Sequence, residues 1–139
     1  MAINAQWCAE KRIAGIWAPI RFPNPNIHSA FLFAMLGAVK VDGFDIVPIS
    51  TLTGSAPDSC ADVRDFCKRC DALSDAWGLT YYTVEELLDY DWKRRIQLPD
   101  GLTTYAERAG VFYSEIIPQL EALCDGDYDS VRLFVYFDT

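Results

Sequence analysis

Three cysteines are the side chains of this chain with the clearest potential for metal chemistry. Cys67 and Cys70 are spaced like one half of a structural zinc site, and Cys60 precedes Cys67 by seven residues. A structural zinc site usually requires a second pair of ligands. The three cysteines instead recur at helical spacing with Val63 and Phe66, and free cysteine packs well as a small apolar side chain. The pattern therefore predicts buried thiols on one helix and no bound metal.

Nucleophilic catalysis has little support, because the chain contains a single histidine, His28. A serine or cysteine nucleophile needs a base within reach, most often histidine. His28 falls in the first turn of a predicted apolar helix, and the sequence has neither a Gly-x-Ser-x-Gly elbow nor a phosphate-binding glycine motif. We expect no catalytic residue and no cofactor, and the sequence favours a protein that is not an enzyme.

An aspartate-rich segment near the C-terminus resembles the beginning of a calcium loop. Asp125, Asp127 and Asp129 occupy the first, third and fifth positions of such a loop. The sixth position is Ser130, where a sharp turn requires glycine, and the twelfth is Tyr136, where a bidentate glutamate is required. The segment is therefore predicted to be a solvated turn between a helix and a strand.

Acidic side chains are concentrated after residue 50. Only three of the twenty carboxylates precede that position, and the formal net charge is −8. The predicted partner-binding face consists of Asp58, Asp62, Asp65, Asp71, Asp75, Glu85 and Asp89, with the first three on one face of a predicted helix. Such a surface repels nucleic acid and anionic membranes and attracts basic proteins. We therefore expect a basic protein partner and no direct contact with nucleic acid or membrane.

Composition predicts a single globular domain over residues 1–139. An apolar share of 51% supplies a core and excludes intrinsic disorder. No apolar run reaches the roughly 18–20 residues needed to cross a bilayer. The N-terminal segment lacks the basic start and apolar stretch of a secretory signal, and the five cysteines are an odd number. These features predict free thiols in a reducing cytoplasm.

Two predicted strands would bring the ends of the chain together. Apolar and polar residues alternate from Ile3 to Glu10, as in a half-buried strand, and a second extended segment follows over residues 13–20. Residues 131–138 are apolar on both faces, which is typical of a central strand. We expect the two end strands to be neighbours in one sheet. A further short strand is predicted over residues 44–49.

Four helices are predicted around this sheet. The first covers residues 27–38 and is capped by Asn26, and the second runs from a cap at Asp58 or Ser59 to about residue 76. Thr83 opens a third with a capping box. The fourth covers residues 104–124, after a loop at 99–101, and is kinked by Pro118. The predicted class is α+β, with a small antiparallel sheet including the N- and C-terminal strands, covered by three to four helices.

Several segments, in order, are similar to a family of small, mostly uncharacterised bacteriophage and prophage proteins. That family has a Met-Gly-Cys-Asp-Ile-His start followed by a Glu-x-Arg, then a Leu-Phe-Ala-x-Leu-Ala-Gly-Val-Arg helix and a Gly-Leu-Pro-x-Asp-x-Ser loop. An Asp-Ala-His-Ser…Glu-Leu…Asp-Trp middle and a Val-Arg-Leu-Val-Phe-Trp-Phe-Asp-Asn end complete the pattern. The matching segments here are Glu10-Lys11-Arg12, FLFAMLGAV (31–39), Gly54 with Asp58, YTVEELLDYDW (82–92) and VRLFVYFDT (131–139). The resemblance covers nearly the whole chain and implies a divergent member.

Two departures from the family pattern remove titratable groups. Asn4-Ala5-Gln6 stands where the family has Asp-Ile-His, and Asp75-Ala76-Trp77-Gly78 stands where it has Asp-Ala-His-Ser. A carboxylate and two imidazoles of the family pattern are therefore missing from this chain. The resemblance implies the fold of the family but no metal or catalytic site.

These features favour a small acidic phage-encoded accessory protein that acts in the host cytoplasm by binding a basic host protein. A nucleic-acid-binding component of a defence system is one such target, which would make the protein an anti-CRISPR-type inhibitor. An alternative is the binding or cleavage of a nucleotide-like ligand in a pocket formed by Asn4, Gln6, Glu10, Trp77 and Trp92. A second alternative is a homodimeric structural protein, and the sequence leaves open whether the protein is a monomer or a homodimer.

Overall fold

Residues 2–139, which a computed structural model describes, form six strands and five α-helices. In chain order they are β1 Asn4–Ile13, β2 Ile16–Ile20, α1 Ala30–Met35, α2 Ala61–Ala72, β3 Trp77–Thr83, α3 Val84–Asp89, β4 Arg95–Leu98, β5 Gly101–Thr104, α4 Tyr105–Ala109, α5 Ile117–Leu123 and β6 Val131–Asp138. A single π-helical turn, Phe112–Ile116, separates α4 from α5.

The main sheet confirms the predicted α+β class and the pairing of the two end strands. Its four strands are antiparallel in the order β2-β1-β6-β3, so β6 is central and lies beside β1. Trp7 faces Val135 across this pair, and seven of the eight residues of β6 are buried. β4 and β5 form a separate two-stranded hairpin.

The sheet has a different apolar layer on each face. On one face Trp7, Leu133 and Val135 pack with residues of α1, α3, α4 and α5. On the other face Phe134 and Tyr136 pack against Phe66 and the rest of the apolar side of α2. The alternation of β6 therefore buries one set of side chains in each layer, which explains why both of its faces are apolar.

The helices differ from prediction in number and extent. The predicted helix over residues 104–124 is divided into α4 and α5, because Gly110 ends α4 with φ +57. Pro118 lies in the first turn of α5 and cannot donate to Ser114, so the backbone before it forms the π-helical turn. This division gives five α-helices where three to four were predicted.

The predicted N-caps of the first two helices are wrong. Ser29, which accepts a hydrogen bond from the amide of Leu32, caps α1, whereas Asn26 has φ +52 and lacks the extended backbone of a cap. α2 begins at Ala61 and ends at Ala72, well inside the predicted range. The capping box at Thr83 is confirmed, with reciprocal hydrogen bonds between Thr83 and Glu86.

One predicted strand does not form, and three observed strands were not predicted. Residues 44–49 are not a strand, since residues 36–60 contain neither helix nor strand. The segment 36–60 is held by side-chain hydrogen bonds; for example, Tyr82 Oη donates to Leu36 O. β3, β4 and β5 were not predicted, whereas the predicted loop at 99–101 is confirmed as the turn of the β4–β5 hairpin.

The turn between β1 and β2 contains a residue in a strained conformation. Ala14 and Gly15 both have positive φ, +52 and +78, which is the geometry of a type I′ hairpin turn. A left-handed conformation costs an L-alanine about 1–2 kcal/mol, and asparagine tolerates it better. We expect Ala14→Asn to raise the free energy of unfolding by about 0.5–1 kcal/mol. Urea denaturation would measure this change, and Ala14→Val, as a control, should lower stability. If Ala14→Asn lowered the free energy of unfolding, the conclusion that Ala14 is strained would be wrong.

Candidate partner-binding groove

A buried ion pair joins the two end strands beneath the start of α2. Glu10 is fully buried, and its Oε2 accepts hydrogen bonds from Arg132 Nε and Ser59 Oγ, both at 2.9 Å. The other carboxylate oxygen accepts from the backbone amide of Cys60 at 2.9 Å. Because each oxygen of Glu10 has a donor, the buried charge is both neutralised and hydrogen-bonded.

The guanidinium of Arg132 also contacts an aspartate and an indole ring. Its Nη2 donates to Asp58 Oδ1 at 3.0 Å, and its central carbon lies 3.6 Å from the centroid of Trp17. Trp17 Nε1 donates to the other oxygen of Asp58 at 3.2 Å. Hydrogen bonding from Arg132 holds the pKa of Asp58 below its ordinary value of 3.8. Glu10, Trp17, Asp58, Ser59 and Arg132 are called the Arg132 cluster below.

The Arg132 cluster fixes the position of α2 over the sheet. It joins β1, β2 and β6 to the two residues that precede the N-cap of α2. Asp58 therefore lies before the helix, and the prediction that it shares a helical face with Asp62 and Asp65 is wrong. Its carboxylate is already paired with Arg132, so it is poorly placed to bind an external cation.

A groove lies between β2 and α2, beside the Arg132 cluster, and has a volume of about 370 Å³. Its apolar lining includes Ala9, Pro19, Ile20, Val63 and Phe66. Asp62 and Asp65, both exposed, lie along its α2 side. We call this feature the β2–α2 groove. Its lining combines these apolar side chains with two carboxylates, an arrangement suited to a side chain that is both apolar and cationic.

The charges at the groove are unbalanced. Neither Asp62 nor Asp65 is within ion-pair distance of a cationic side chain of residues 2–139. Among residues 2–139, the only cationic side chain that lines the groove is Arg69, whose guanidinium carbon lies 5.8 Å from the centroid of Phe66. With two carboxylates and one guanidinium, the charged side chains that line the groove have a net charge of −1.

The seven predicted acidic residues do not form a single face. Asp62, Asp65 and Asp71 belong to α2, and exposed Asp75 follows the helix. Exposed Glu85 and Asp89 belong to α3, which packs on the other face of the sheet through Val84 and Leu87. A hydrogen bond with Asp129 raises the pKa of Glu85. The acidic surface is thus divided into two parts by the sheet.

The predicted nucleotide pocket is not assembled. In β1, Asn4, Gln6 and Glu10 alternate with the buried Ala5, Trp7 and Ala9 and so point toward the α2 face, where Gln6 Nε2 donates to Asp138 Oδ2 at 3.3 Å. Trp77 and Trp92 pack in the apolar layer on the opposite face. The five residues therefore cannot converge on one ligand.

Hydrogen bonds within the protein also occupy the two indole donors of that predicted pocket. Trp77 Nε1 donates to Ala38 O at 3.0 Å, and Trp92 Nε1 donates to Leu87 O at 2.7 Å. Trp92 is buried and Trp77 is half-buried. Trp77 therefore anchors the loop that follows α1, and Trp92 packs in the core and is bonded to α3.

The cysteines behave as apolar side chains. Burial of Cys67 and Cys70 on α2 is confirmed, whereas Cys60 is only half-buried. Burial raises the pKa of the Cys67 thiol to about 11, which keeps it protonated at neutral pH. Within residues 2–139 no group of three or more His, Cys, Asp or Glu side chains is arranged to hold a metal ion. His28 is exposed and lies before α1, with Nδ1 3.3 Å from Ile3 O and Nε2 3.1 Å from Asn26 Oδ1.

The site could be predicted only in part from the sequence, because it joins distant segments. Glu10 and Arg132 are 122 positions apart, and the groove depends on how β2 and α2 are spaced. One signal was available, since Arg132 is the only charged residue inside an otherwise apolar strand before Asp138. A charge at that position requires a partner on the neighbouring strand.

None of the helices formed by residues 2–139 is long and apolar enough to cross a lipid bilayer. Comparison of the chain with protein-family models, with curated proteins and with solved structures gives no match.

Proposed function

We propose that this protein acts by binding a basic partner protein through the exposed acidic side of α2 at the β2–α2 groove. The main support is the pair Asp62 and Asp65, two carboxylates that have no ion-pair partner among residues 2–139 and that line a groove together with apolar side chains. Apolar contact at the centre of an interface supplies affinity, and charge around it supplies orientation and association rate.

The charge of the whole molecule supports the same proposal. Only Glu10, Asp58, Asp91 and Asp127, of twenty carboxylates, lie within ion-pair distance of a cationic side chain of residues 2–139. The remaining sixteen contribute to a negative field that is not compensated locally. Such a field attracts a basic surface and repels nucleic acid.

On the resemblance to small phage and prophage proteins that is predicted from the sequence, we further propose that the partner is a bacterial host protein. Proteins that bind nucleic acid carry basic grooves, and components of bacterial defence systems are among them. An acidic protein that occupies such a groove would exclude the nucleic acid by competition for the same cations. We therefore propose a counter-defence inhibitor of the anti-CRISPR type as the biological role.

Charge reversal on α2 is the direct test of this function. We expect Asp62→Lys together with Asp65→Lys to slow association with the partner by about tenfold or more, because steering by opposite charge is replaced by repulsion. Both side chains are exposed, so the fold should be retained. The partner would first be captured from a bacterial host lysate with the wild-type protein and identified by mass spectrometry. Association rates of the purified pair would then be measured at low and high salt.

A matched control separates a local effect from a change in total charge. Asp42 and Asp45 are exposed, have the same spacing as Asp62 and Asp65, and lie on the segment between α1 and α2. Asp42→Lys with Asp45→Lys changes the net charge equally and should slow association much less. If both double variants bind at the wild-type rate, or if the rate is independent of salt, the proposed function is wrong.

A further inference from the structure

We infer that the β2–α2 groove holds one lysine or arginine side chain of the partner, with the methylene chain against the apolar lining and the cation between Asp62 and Asp65. This inference rests on the proposed function and specifies the part of the partner that enters the groove. The groove volume of about 370 Å³ accommodates a side chain of this size. Long cationic side chains bury their methylene groups while the charged end remains close to water.

The spacing of the two carboxylates suits a single cation. Asp62 and Asp65 are three residues apart on α2, so their side chains are neighbours on the helix surface. Both line the groove, and Val63 and Phe66 on the same helix are almost fully buried, so the accessible apolar side chains of the lining are Pro19 and Ile20 on β2. A cation placed between the two aspartates would therefore be adjacent to apolar surface for its methylene chain.

The edge of the sheet argues against a different mode of binding, in which a partner strand pairs with β2. Because the turn has two residues, Ile13 and Ile16 form a hydrogen-bonded pair. Hydrogen-bonded and non-hydrogen-bonded pairs then alternate along the hairpin. Pro19, opposite Glu10, occupies a pair whose backbone groups point away from β1. Because proline has no amide hydrogen, an added strand would lose a bond there. A side chain entering the groove has no such requirement.

Arg69 shows that the groove already accommodates a guanidinium. Its distance of 5.8 Å from the centroid of Phe66 is within the range of a cation–π contact. Asp65 precedes Arg69 by one helical turn, yet the two side chains form no ion pair. Arg69 therefore competes with an incoming cation by repulsion, and removing its charge should strengthen binding.

The probe is an acetylated and amidated peptide, Ala-Ala-Arg-Ala-Ala, titrated into the ¹⁵N-labelled protein and followed by NMR. We expect a dissociation constant on the order of millimolar and the largest shifts in the amides of Ala9, Ile20 and residues 62–69. The matched control peptide has citrulline in place of arginine, which keeps the shape and removes the charge, and it should bind at least about threefold more weakly. Circular dichroism would confirm that each variant is folded.

Protein variants complete the test. Asp62→Asn with Asp65→Asn should weaken peptide binding at least about threefold, and Arg69→Gln should strengthen it by a similar factor. Asp71→Asn, on the same helix but outside the groove, should change it little. Equal binding of the arginine and citrulline peptides, or shifts located away from the groove, would overturn the inference. So would an Arg69→Gln variant that binds no more tightly than the wild type.

The same measurements separate this inference from the proposed function. In one outcome, the captured partner associates more slowly with the Asp62→Lys/Asp65→Lys protein, but Arg69→Gln leaves the association rate unchanged. The acidic surface then binds the partner, and the groove does not hold a cationic side chain of the partner. If neither the partner nor the arginine peptide responds to changes at Asp62 and Asp65, both the groove and the proposed function are wrong.

Discussion

Replacement of Arg132 by methionine is expected to lower the free energy of unfolding by about 3–5 kcal/mol, because it leaves the buried carboxylate of Glu10 without its counter-charge. Arg132 and Glu10 have side-chain exposures of 8% and 0%, and their closest atoms are 2.7 Å apart. A domain typically has about 5–15 kcal/mol of stability in total. The variant should therefore lose a large share of its stability. Guanidinium denaturation followed by tryptophan fluorescence would measure the loss.

Two further variants determine whether the loss arises from the unpaired charge. Glu10→Met combined with Arg132→Met removes both charges and should recover much of the stability lost in the single variant. Arg95→Met removes a cation from an exposed position in β4 and should cost less than about 0.5 kcal/mol. A loss below about 1 kcal/mol for Arg132→Met would show that Glu10 does not depend on this partner.

Deletion of residues 131–139 is expected to abolish cooperative unfolding. The deletion removes the central strand β6, and with it the fully buried side chains of Leu133, Val135 and Phe137. Each of these contributes about 1.5–3 kcal/mol by burial, so together they approach the whole stability of a domain. β1 and β3 would also lose their common hydrogen-bonding partner. Thermal unfolding monitored by circular dichroism should show no sigmoidal transition.

Removal of Thr139 alone is the control for this deletion. Thr139 is exposed and lies beyond the end of β6, so its loss should leave the melting temperature nearly unchanged. A protein lacking residues 131–139 that still melts cooperatively near the wild-type temperature would show that β6 is peripheral, in conflict with its position in the sheet.

The elements that could be predicted from the sequence are those with a strong local pattern. The alternation along β1 and the apolar character of β6 gave the pairing of the two end strands, and Thr83 with Glu86 gave the start of α3. β3 was missed because Gly78, an uncommon residue inside a strand, interrupts its pattern. The structure explains this glycine, since a Cβ there would lie 3.0 Å from the ring of Phe137 and its φ is +73.

The candidate site could be predicted only in part. Asp62 and Asp65 were identified from their charge and helical spacing, which are local properties. Asp58 was placed on the wrong element, because its pairing with Arg132 joins positions 74 residues apart. Pro19 and Ile20 could not be connected with α2 from the sequence, since their proximity depends on the packing of the sheet against that helix.

The order of strands in the sheet has a consequence for synthesis of the protein. β6 lies between β1 and β3 but follows both of them in the chain, so neither can complete its pairing until β6 has left the ribosome. During that interval the backbone edge of β1 that pairs with β6 is open, and Trp7 lacks its cross-strand neighbour Val135. Sheets built from distant segments fold slowly and expose such surfaces to association with other chains. A nascent chain of this protein is therefore expected to depend on chaperones until its C-terminal strand emerges.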